Sequence, residues 1–268
     1  MSKNLRTLSL GAGVQSTTVA LLAVHGEIEK PKHAIFADTG WEPQEVYDHL
    51  EWLKGIIEPA GIQLHVVTNG NIREDTLSPG RFASLPFHMK NPETEAKGLG
   101  RRQCTREYKI SPIQKKQREL IGLEFRQRWT PAHGRILNMM GISVDEVQRA
   151  KDNREKYIDN VFPLLDLRMK RSDCHIWLNK HGYKAPRSAC LGCPYHSDRE
   201  WREIKQNPEQ WADVVDFDRK LRLKKTKFEY DMYLHKSCQP IEFIDFSSEE
   251  DRGQLTLFDN ECEGMCGL

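Results

Sequence analysis

The sequence predicts an α/β fold with a parallel, doubly wound sheet, and two observations carry this prediction. Between residues 5 and 67, short apolar runs alternate with segments whose apolar residues recur at helical spacing. A bend rich in glycine and serine separates the first apolar run from the first helical segment. Such alternation implies right-handed crossovers between parallel strands. Ligands of these sheets bind at the carboxyl ends of the strands.

The first third of the chain contains three strands and two helices. Pro43 begins a helix that continues through Val46 and Leu50, whose spacing is helical. The other elements predicted in this part are strands at 5–10, 32–38 and 61–67 and a helix at 16–25.

The rest of the chain predicts further elements and a boundary between two domains. Residues 69–102 are rich in Gly, Pro and polar side chains, which is typical of an active-site loop or of a surface insertion. We expect residues 1–165 to form the α/β domain and residues 166–268 to form a mostly helical extension that carries cysteines. The elements are a basic helix at 108–120, a strand at 135–141, a charged helix at 144–157, a helix at 172–180, a turn with cysteines at 188–194 and a helix at 199–221.

Composition restricts the classes of function. The 268 residues carry a net charge of +1, so no overall field favours nucleic acid. No apolar run is long enough to span a bilayer, and the polar N-terminus leads directly into a strand. We therefore expect a cytoplasmic protein. In that compartment the seven cysteines are ligands or redox groups rather than disulfides.

The bend between Ser9 and Ser16 has the composition of a phosphate-binding loop. Glycine lets the backbone approach an anion closely, and the N-terminus of the following helix directs unpaired N–H groups into the bend. An ordinary strand-to-helix turn has the same composition, and this alternative stays open. No Gly-Lys-Ser/Thr ends the loop, which disfavours kinase chemistry. The candidate phosphate ligands are Ser9, Gly11, Ala12, Gly13, Val14, Gln15 and Ser16.

Two further groups of polar residues are candidates for the same site. Asp38, Thr39 and Gly40 follow the second strand and share a sheet edge with the first loop; a turn that caps the strand is the alternative. Lys109 follows Cys104 by a little more than one helical turn and is a candidate phosphate ligand, with a solvated lysine as the alternative. The basic residues beside it suit a cofactor phosphate or a nucleic-acid backbone: they are Arg101, Arg102 and Arg106.

Four cysteines have the spacing of a metal site. Cys190 and Cys193 flank a turn, so that two thiolates can converge on one metal. Cys174 precedes them on a helix, and Cys104 lies across the expected cleft. Four thiolates suit a [4Fe–4S] cluster or tetrahedral zinc, and all-sulfur ligation does not decide between them. A thioredoxin-like redox pair and unconnected thiols are alternatives, and Cys238 is an alternative fourth ligand.

Several motifs follow one another in a defined order along most of the chain. They are Ser9-x-Gly11-x-Gly13-x-x-Ser16, Asp38-Thr39-Gly40-x-Glu42, Cys104-Thr105-x-x-Tyr108-Lys109-Ile110, Gly141-Ile142-Ser143-x-Asp145-Glu146-x-x-Arg149, Pro163-Leu164-Leu165, Cys190-x-x-Cys193-Pro194 and a C-terminal tail with Cys and Gly. Each motif is short. Their order resembles the phosphoadenylyl-sulfate (PAPS) reductase branch of the PP-loop, or adenine nucleotide α-hydrolase-like, superfamily.

This resemblance implies a Rossmann-like fold and an adenine nucleotide, either ATP or a sulfonucleotide (APS or PAPS), that lies across the sheet edge. Its phosphates or sulfate would occupy the first loop, with Asp38 beside the nucleotide and Arg149 near the phosphate end. Related branches pair a cysteine near the position of Lys109 with a downstream Cys-x-x-Cys, which implies a [4Fe–4S] cluster rather than zinc. The usual loop has Asp where this chain has Gln15, so the carboxylate that helps to hold magnesium is absent there.

The C-terminal tail carries two more cysteines, Cys262 and Cys266. Reductases of the resembled family end in a mobile Glu-Cys-Gly segment whose cysteine attacks the sulfur of the sulfonucleotide, and this tail is similar. Two thiols in one tail suit a nucleophile and a resolving partner. A tail with incidental cysteines is the alternative.

Three functions are consistent with these motifs. The favoured one is an ATP pyrophosphatase that adenylates an acceptor for sulfur transfer, as in the DNA-phosphorothioation and tRNA-thiolation branches. Nucleic acid is one candidate acceptor, and a cysteine desulfurase is one candidate sulfur donor. The second is a thiol-dependent APS or PAPS reductase that forms sulfite, with thioredoxin as the candidate electron donor. The third is a non-catalytic nucleotide- and cluster-binding subunit. The lone Cys104 and the second tail cysteine depart from the reductases and favour the first function.

Overall fold

The computed structural model describes residues 4–80, 84–124, 126–224 and 230–247. The strands are β1 (Asn4–Leu10), β2 (His33–Asp38), β3 (Gln63–Thr68), β4 (His88–Lys90), β5 (Lys97–Leu99), β6 (Arg135–Met140), β7 (Ile158–Val161) and β8 (Asp231–Tyr233). The α-helices are α1 (Val14–Val24), α2 (Gln44–Ile57), α3 (Ile72–Leu77), α4 (Ser111–Leu120), α5 (Pro163–Asp166), α6 (Arg171–Lys180), α7 (Asp198–Lys205) and α8 (Pro208–Leu223). A π-helix spans Thr105–Ile110, and 3₁₀ turns span Pro131–His133, Val144–Arg149 and Ile241–Phe243.

The chain forms two compact units. Among the described residues, unit 1 comprises the segments within 4–38, 42–69 and 108–188, and unit 2 comprises those within 39–41, 70–107 and 189–247. Each unit is therefore assembled from three separate segments of the chain. The boundary expected at residue 165 divides the chain into two continuous functional domains, which differ in kind from these discontinuous units, and it stays a prediction.

Unit 1 contains a five-stranded sheet in the order β3-β2-β1-β6-β7. Every neighbouring pair of strands in it is parallel, which confirms the predicted α/β class. β1 is the central strand. β2 and β3 follow in order on one side of it, and β6 and β7 follow in order on the other side. The order therefore reverses between β1 and β6, and such a switch point opens a crevice at the carboxyl ends of the strands.

Helices cover both faces of this sheet, and successive side chains of β1 contact helices on opposite faces. Leu8 and Leu10 are buried in an apolar cluster that includes residues of α1, α2 and α6. Thr7 points to the opposite face, where Gln117 of α4 donates a hydrogen bond to its hydroxyl at 3.0 Å. The doubly wound arrangement expected from the sequence is thus present.

A buried amide, Asn138 of β6, connects three neighbouring strands of the sheet. Its Oδ1 accepts hydrogen bonds from Ser9 Oγ and Gln117 Nε2, each at 2.9 Å. Its Nδ2 donates to Asn160 Oδ1 in β7 at 3.1 Å. Asn138 is the direct partner of Thr7 in β1 and of Asn160 in β7. Every polar atom of this side chain therefore has a partner on a defined strand.

The charged helix predicted at 144–157 is wrong, since only the 3₁₀ turn Val144–Arg149 forms. Glu146 in this turn has non-helical backbone angles, with φ −117° and ψ 22°. Further along, Asn153 accepts the N–H of Glu155 with its side chain at 3.0 Å. Asn side chains compete in this way with the backbone bonds of a helix. The chain then enters β7, which the sequence did not predict.

The single helix predicted at 199–221 is also wrong, because the chain divides there into α7 and α8. The side chain of Asn207 accepts the N–H groups of Glu209 and Gln210, each at 3.2 Å. Pro208 occupies the first turn of α8. An Asn N-cap followed by proline is a helix start, so the signal for this division was present in the sequence.

Unit 2 combines α3, α7 and α8 with a small antiparallel sheet in the order β5-β4-β8. Its three strands have three residues each, too few for a pattern in the sequence to predict them. Val214, Phe217 and Leu221 form the buried side of α8. In the described parts of the chain, no helix has the length and apolar character needed to cross a membrane.

Candidate functional site

The loop at residues 11–16 joins β1 to α1 in unit 1. Ala12 is buried and has a φ of +56°, a left-handed conformation that is costly for a residue other than glycine. Gly13 precedes α1 and supplies no side-chain cap. Ser16 closes the loop, since its Oγ accepts the N–H of Gly11 at 3.1 Å and donates to the carbonyl of Gly13 at 3.2 Å. The backbone donors at the start of α1 are therefore the groups that this loop can offer an anion.

The segment after β6 packs directly on loop 11–16. A Cβ placed on Gly141 would lie 2.7 Å from the backbone nitrogen of Ser16 and 2.8 Å from the carbonyl carbon of Gln15. Both atoms belong to the backbone, so only glycine fits at this position. β1 and β6 flank the switch point, and the two segments that meet here follow these two strands.

Glu146 stands beside the loop and was not among the predicted site residues. Gln15 Nε2 donates to Glu146 Oε2 at 2.9 Å, and Arg149 Nη1 pairs with the same oxygen at 2.7 Å. Gln15 Nε2 also lies 3.3 Å from Ser143 Oγ. The side chains of Glu146 and Arg149 are 8% and 16% exposed, so this is not a surface pair.

A second polar group in unit 1 contains Asp38 and Lys109. The hydroxyl of Tyr47 donates to Asp38 Oδ1 at 3.0 Å and accepts the N–H of Glu42 at 3.4 Å. Burial raises the pKa of Tyr47 well above its ordinary value, so this hydroxyl stays a donor. Lys109 Nζ lies 3.9 Å from Oε1 of Glu42, whose side chain is 1% exposed. A buried carboxylate thus orients the ammonium group predicted to bind phosphate.

In unit 2, Cys190 and Cys193 form the predicted turn. The N–H of Cys193 donates to the carbonyl of Cys190 at 3.0 Å, and Thr39 Oγ1 lies 3.2 Å from Cys190 Sγ. Gly192 faces the indole of Trp41 so closely that a Cβ would lie 2.1 Å from the ring. The turn therefore needs glycine between its cysteines, and a hydroxyl is in hydrogen-bonding contact with one sulfur.

Cys104 belongs to the same unit and immediately precedes the π-helix. Its N–H donates to the carbonyl of Ser84 at 3.0 Å. Two residues earlier, the guanidinium of Arg102 lies 5.1 Å from the centre of the ring of Tyr195. Tyr195 is two residues beyond Cys193. Within unit 2, the segment with Cys104 thus lies beside the Cys190–Cys193 turn.

The spacing of these three sulfurs bears on the kind of metal group. Among the described residues, Cys104, Cys190 and Cys193 do not form a group in which all three sulfurs lie within 4.8 Å of one another. A mononuclear zinc site with Zn–S bonds of about 2.3 Å needs sulfurs about 3.8 Å apart. A cluster binds each thiolate at a separate iron and spans a wider set. Three thiols of unit 2 are therefore candidate ligands of a metal group, and the choice between a cluster and zinc stays a prediction.

The remaining predicted cysteines have different surroundings. Cys174 lies in the apolar core of unit 1 and is fully buried. Burial raises its pKa to about 11, whereas metals bind the thiolate; its role as a ligand stays a prediction. Cys238 of unit 2 is buried as well, and burial raises its pKa. Cys262 and Cys266 lie outside the described residues.

No protein-family model and no curated protein matches this chain. Its structure is similar to that of the PAPS reductase from Candida auris, solved as a phosphate complex, with a TM-score of 0.39 and 13% sequence identity over 70% of this chain and 76% of that one. It is also similar to the U34-tRNA thiolase NcsA from Methanococcus maripaludis with its [4Fe–4S] cluster, with a TM-score of 0.41 and 14% identity over 90% and 80% of the two chains.

Proposed function

We propose that this chain is a PP-loop-type enzyme that binds an adenine nucleotide in unit 1, with the phosphates at loop 11–16. One observation carries the proposal: the segments after β1 and β6 meet where the strand order reverses, with Gly141 packed on the backbone of Gln15 and Ser16. In open parallel sheets this crevice is the usual place for nucleotides.

The charges around loop 11–16 suit a pyrophosphate group. The first turn of α1 offers backbone donors, and Arg149 offers a guanidinium fork that matches phosphate oxygens. Because Glu146 holds this guanidinium at 2.7 Å, the fork is oriented before the nucleotide arrives. Magnesium prefers carboxylate and phosphate oxygens, but Glu146 Oε2 already bonds to Gln15 and Arg149, so Glu146 is assigned to orienting Arg149 and not to an ion.

We infer that the nucleotide is ATP and that the reaction is adenylation followed by sulfur transfer. An acceptor oxygen attacks the α-phosphorus, the bond to the β-phosphate breaks and pyrophosphate leaves. A sulfur nucleophile then displaces AMP from the acceptor. Lys109, oriented by Glu42, would stabilise the negative charge that develops on the phosphates. The lone Cys104, where the reductases have two adjacent cysteines, supports ATP over a sulfonucleotide.

The thiols of unit 2 support the sulfur-transfer half of this proposal. Cys104, Cys190 and Cys193 would hold a [4Fe–4S] cluster, which when bound would supply iron that carries sulfur. Thr39 Oγ1 lies 3.2 Å from the sulfur of Cys190, and hydrogen bonds to ligand sulfurs are among the contacts that set the potential of a cluster. Cys174, predicted from the sequence as a further ligand, belongs to unit 1 and is not part of this proposal.

The test uses the full chain, purified without oxygen and supplied separately with ATP, APS and PAPS. ATP is given with bulk tRNA or with DNA as the acceptor, and each sulfonucleotide is given with thioredoxin. We expect pyrophosphate and AMP from ATP. Sulfite from APS or PAPS would replace the proposal with a reductase, and tight binding without turnover would replace it with a non-catalytic subunit.

A pair of matched variants tests the site itself. Gln15→Ala removes the amide that bonds to Glu146, and we expect ATP affinity to fall about tenfold, as for one lost hydrogen bond to a charged group. Gln44→Ala removes an exposed amide that bonds to Asp48 on α2 and is expected to leave affinity unchanged. Equal affinities in the two variants would place the nucleotide elsewhere.

A further inference from the structure

Two helices of unit 1 end in the same way, each at a histidine followed by glycine. His25 is the C-cap of α1 and His181 is the C-cap of α6. The glycines that follow, Gly26 and Gly182, have φ values of +77° and +72°, the left-handed conformation that terminates helices. The two imidazoles lie beside each other, with ring centres 4.9 Å apart.

A carboxylate completes this pair of imidazoles. Glu27 follows Gly26, and one of its oxygens, one ring nitrogen of His25 and one ring nitrogen of His181 all lie within 4.8 Å of one another. Among the described residues, these three side chains form the one group of potential metal ligands whose ligand atoms lie this close together. Two imidazoles and one carboxylate are the protein ligands of many zinc sites that keep a fourth position for water.

Hydrogen bonds hold each of the three side chains in a ligand-like orientation. His181 Nδ1 lies 2.8 Å from the carbonyl of Trp177; because a carbonyl only accepts, Nδ1 donates this hydrogen bond, and Nε2 is the ring nitrogen left to bind a metal. The indole N–H of Trp177 donates to Glu27 Oε1 at 3.1 Å. His25 Nε2 lies 3.2 Å from the hydroxyl of Tyr183. Metal-ligating histidines and carboxylates are oriented by outer partners of this kind.

Two helix ends and one carboxylate contribute negative charge at this point, opposed by Lys180 in the last turn of α6. The C-terminus of an α-helix carries a partial negative charge, and α1 and α6 both end here. Glu27 adds a full negative charge. His25 and Glu27 are exposed and His181 is half-buried, so an ion can enter from solvent and keep a water ligand. A mixed set of imidazole and carboxylate suits zinc and its first-row neighbours.

We propose that His25, Glu27 and His181 bind a divalent transition-metal ion of the zinc type, which ties the end of α1 to the end of α6. The site lies wholly in unit 1 and uses none of the cysteines. It is therefore independent of the proposed nucleotide and cluster sites. Its role is to fasten together two helices that pack on the central sheet.

The test measures binding of Zn²⁺ to the chelator-treated full chain by equilibrium dialysis. The variants are His181→Ala and Glu27→Gln, and the control is His175→Ala, which removes an exposed imidazole from the same helix. We expect the wild-type protein and the control to bind one equivalent of Zn²⁺ that both variants lose or bind at least about tenfold more weakly. That equivalent should also raise the melting temperature of the wild type and of the control.

Thiols bind Zn²⁺ too, so Co²⁺ serves as a spectroscopic probe in the same proteins. Thiolate ligation adds intense sulfur-to-cobalt charge-transfer bands, whereas nitrogen and oxygen ligation gives only weak visible bands. We expect the weak bands to disappear in His181→Ala and to persist in Cys190→Ser. Metal contents and spectra that are the same in His181→Ala, Glu27→Gln and His175→Ala would overturn the proposal and leave the group as a stacked aromatic cluster.

Discussion

Replacing Gly141 by alanine tests the contact on which the nucleotide proposal depends. The added Cβ would lie 2.7 Å from Ser16 N, 2.8 Å from Gln15 C and 2.9 Å from Ser16 Cα. Ordinary contact begins at 3.4 Å, so the two backbone segments must separate by about 0.7 Å, and no flexible side chain can move aside instead. Overpacking of this kind costs about 1–3 kcal/mol, and we expect Gly141→Ala to lower the free energy of unfolding by about 2 kcal/mol.

The same displacement moves the backbone donors of loop 11–16. A hydrogen bond to a charged group contributes about 1.5–3 kcal/mol, so a shift of about 0.7 Å that removes one such bond is expected to weaken ATP binding between about tenfold and 100-fold. Urea denaturation measures the first effect, and calorimetric titration with ATP measures the second. Both use the full chain at the same salt concentration.

Gly55→Ala is the matched control, because it makes the same substitution in α2, where a Cβ meets nothing within 4 Å. Alanine is favoured over glycine inside a helix by about 0.5–1 kcal/mol, so this variant should be slightly more stable and bind ATP normally. Unchanged stability in Gly141→Ala would refute the contact between the two segments. Lower stability with unchanged ATP affinity would refute loop 11–16 as the phosphate site.

Three further predictions follow from the buried groups. Glu146→Gln removes the charge that Gln15 and Arg149 share; urea denaturation at pH 7 should show a loss of about 1.5 kcal/mol, and no loss would mean that the pair is not formed. Burial lowers the pKa of His49 to about 4 from 6.5, so the unfolded chain binds up to one more proton between these values and stability falls as pH drops through this window. His49→Gln should lose this part of the pH dependence between pH 7 and 5, and identical slopes would argue against a buried neutral imidazole. Cys174→Ser should lose stability and keep its iron, whereas Cys190→Ser should lose iron; iron loss in both would make Cys174 a ligand.

The central sheet of unit 1 was predictable because its signals are local. The run through Leu8 and Leu10, the glycines after it and the helical spacing beyond are all visible within twenty residues. The edge strand β7 was missed because its sequence, Ile158-Asp159-Asn160-Val161, is half polar. Asn160 fits in this strand because its side chain accepts a hydrogen bond from Asn138 on the neighbouring strand. The local sequence around Asn160 contains no sign of this partner.

The candidate site was predictable in its backbone and less so in its side chains. Short motifs reveal positions where the backbone can accommodate only certain residues. Such positions occur in the loop at 11–16, at Gly141 and in the Cys190–Cys193 turn. Glu146 was not predicted as a site residue because its contact with the loop is a hydrogen bond from Gln15, which is 131 residues away along the chain. The Ser16 hydroxyl bonds to Gly11 and Gly13 within the loop, and its role as a phosphate ligand stays a prediction.

The amide of Asn138 also determines how the centre of the sheet is aligned. A shift of β6 by one residue against β1 would turn Asn138 into the apolar layer and bring Met139 to the polar side. Such an arrangement would bury an amide without partners, at a cost of about 1–3 kcal/mol for each lost group. Correct pairing of β1, β6 and β7 satisfies the whole side chain at once. During folding, the hydrogen bonds of Asn138 therefore favour the native register of the sheet over registers shifted by one residue.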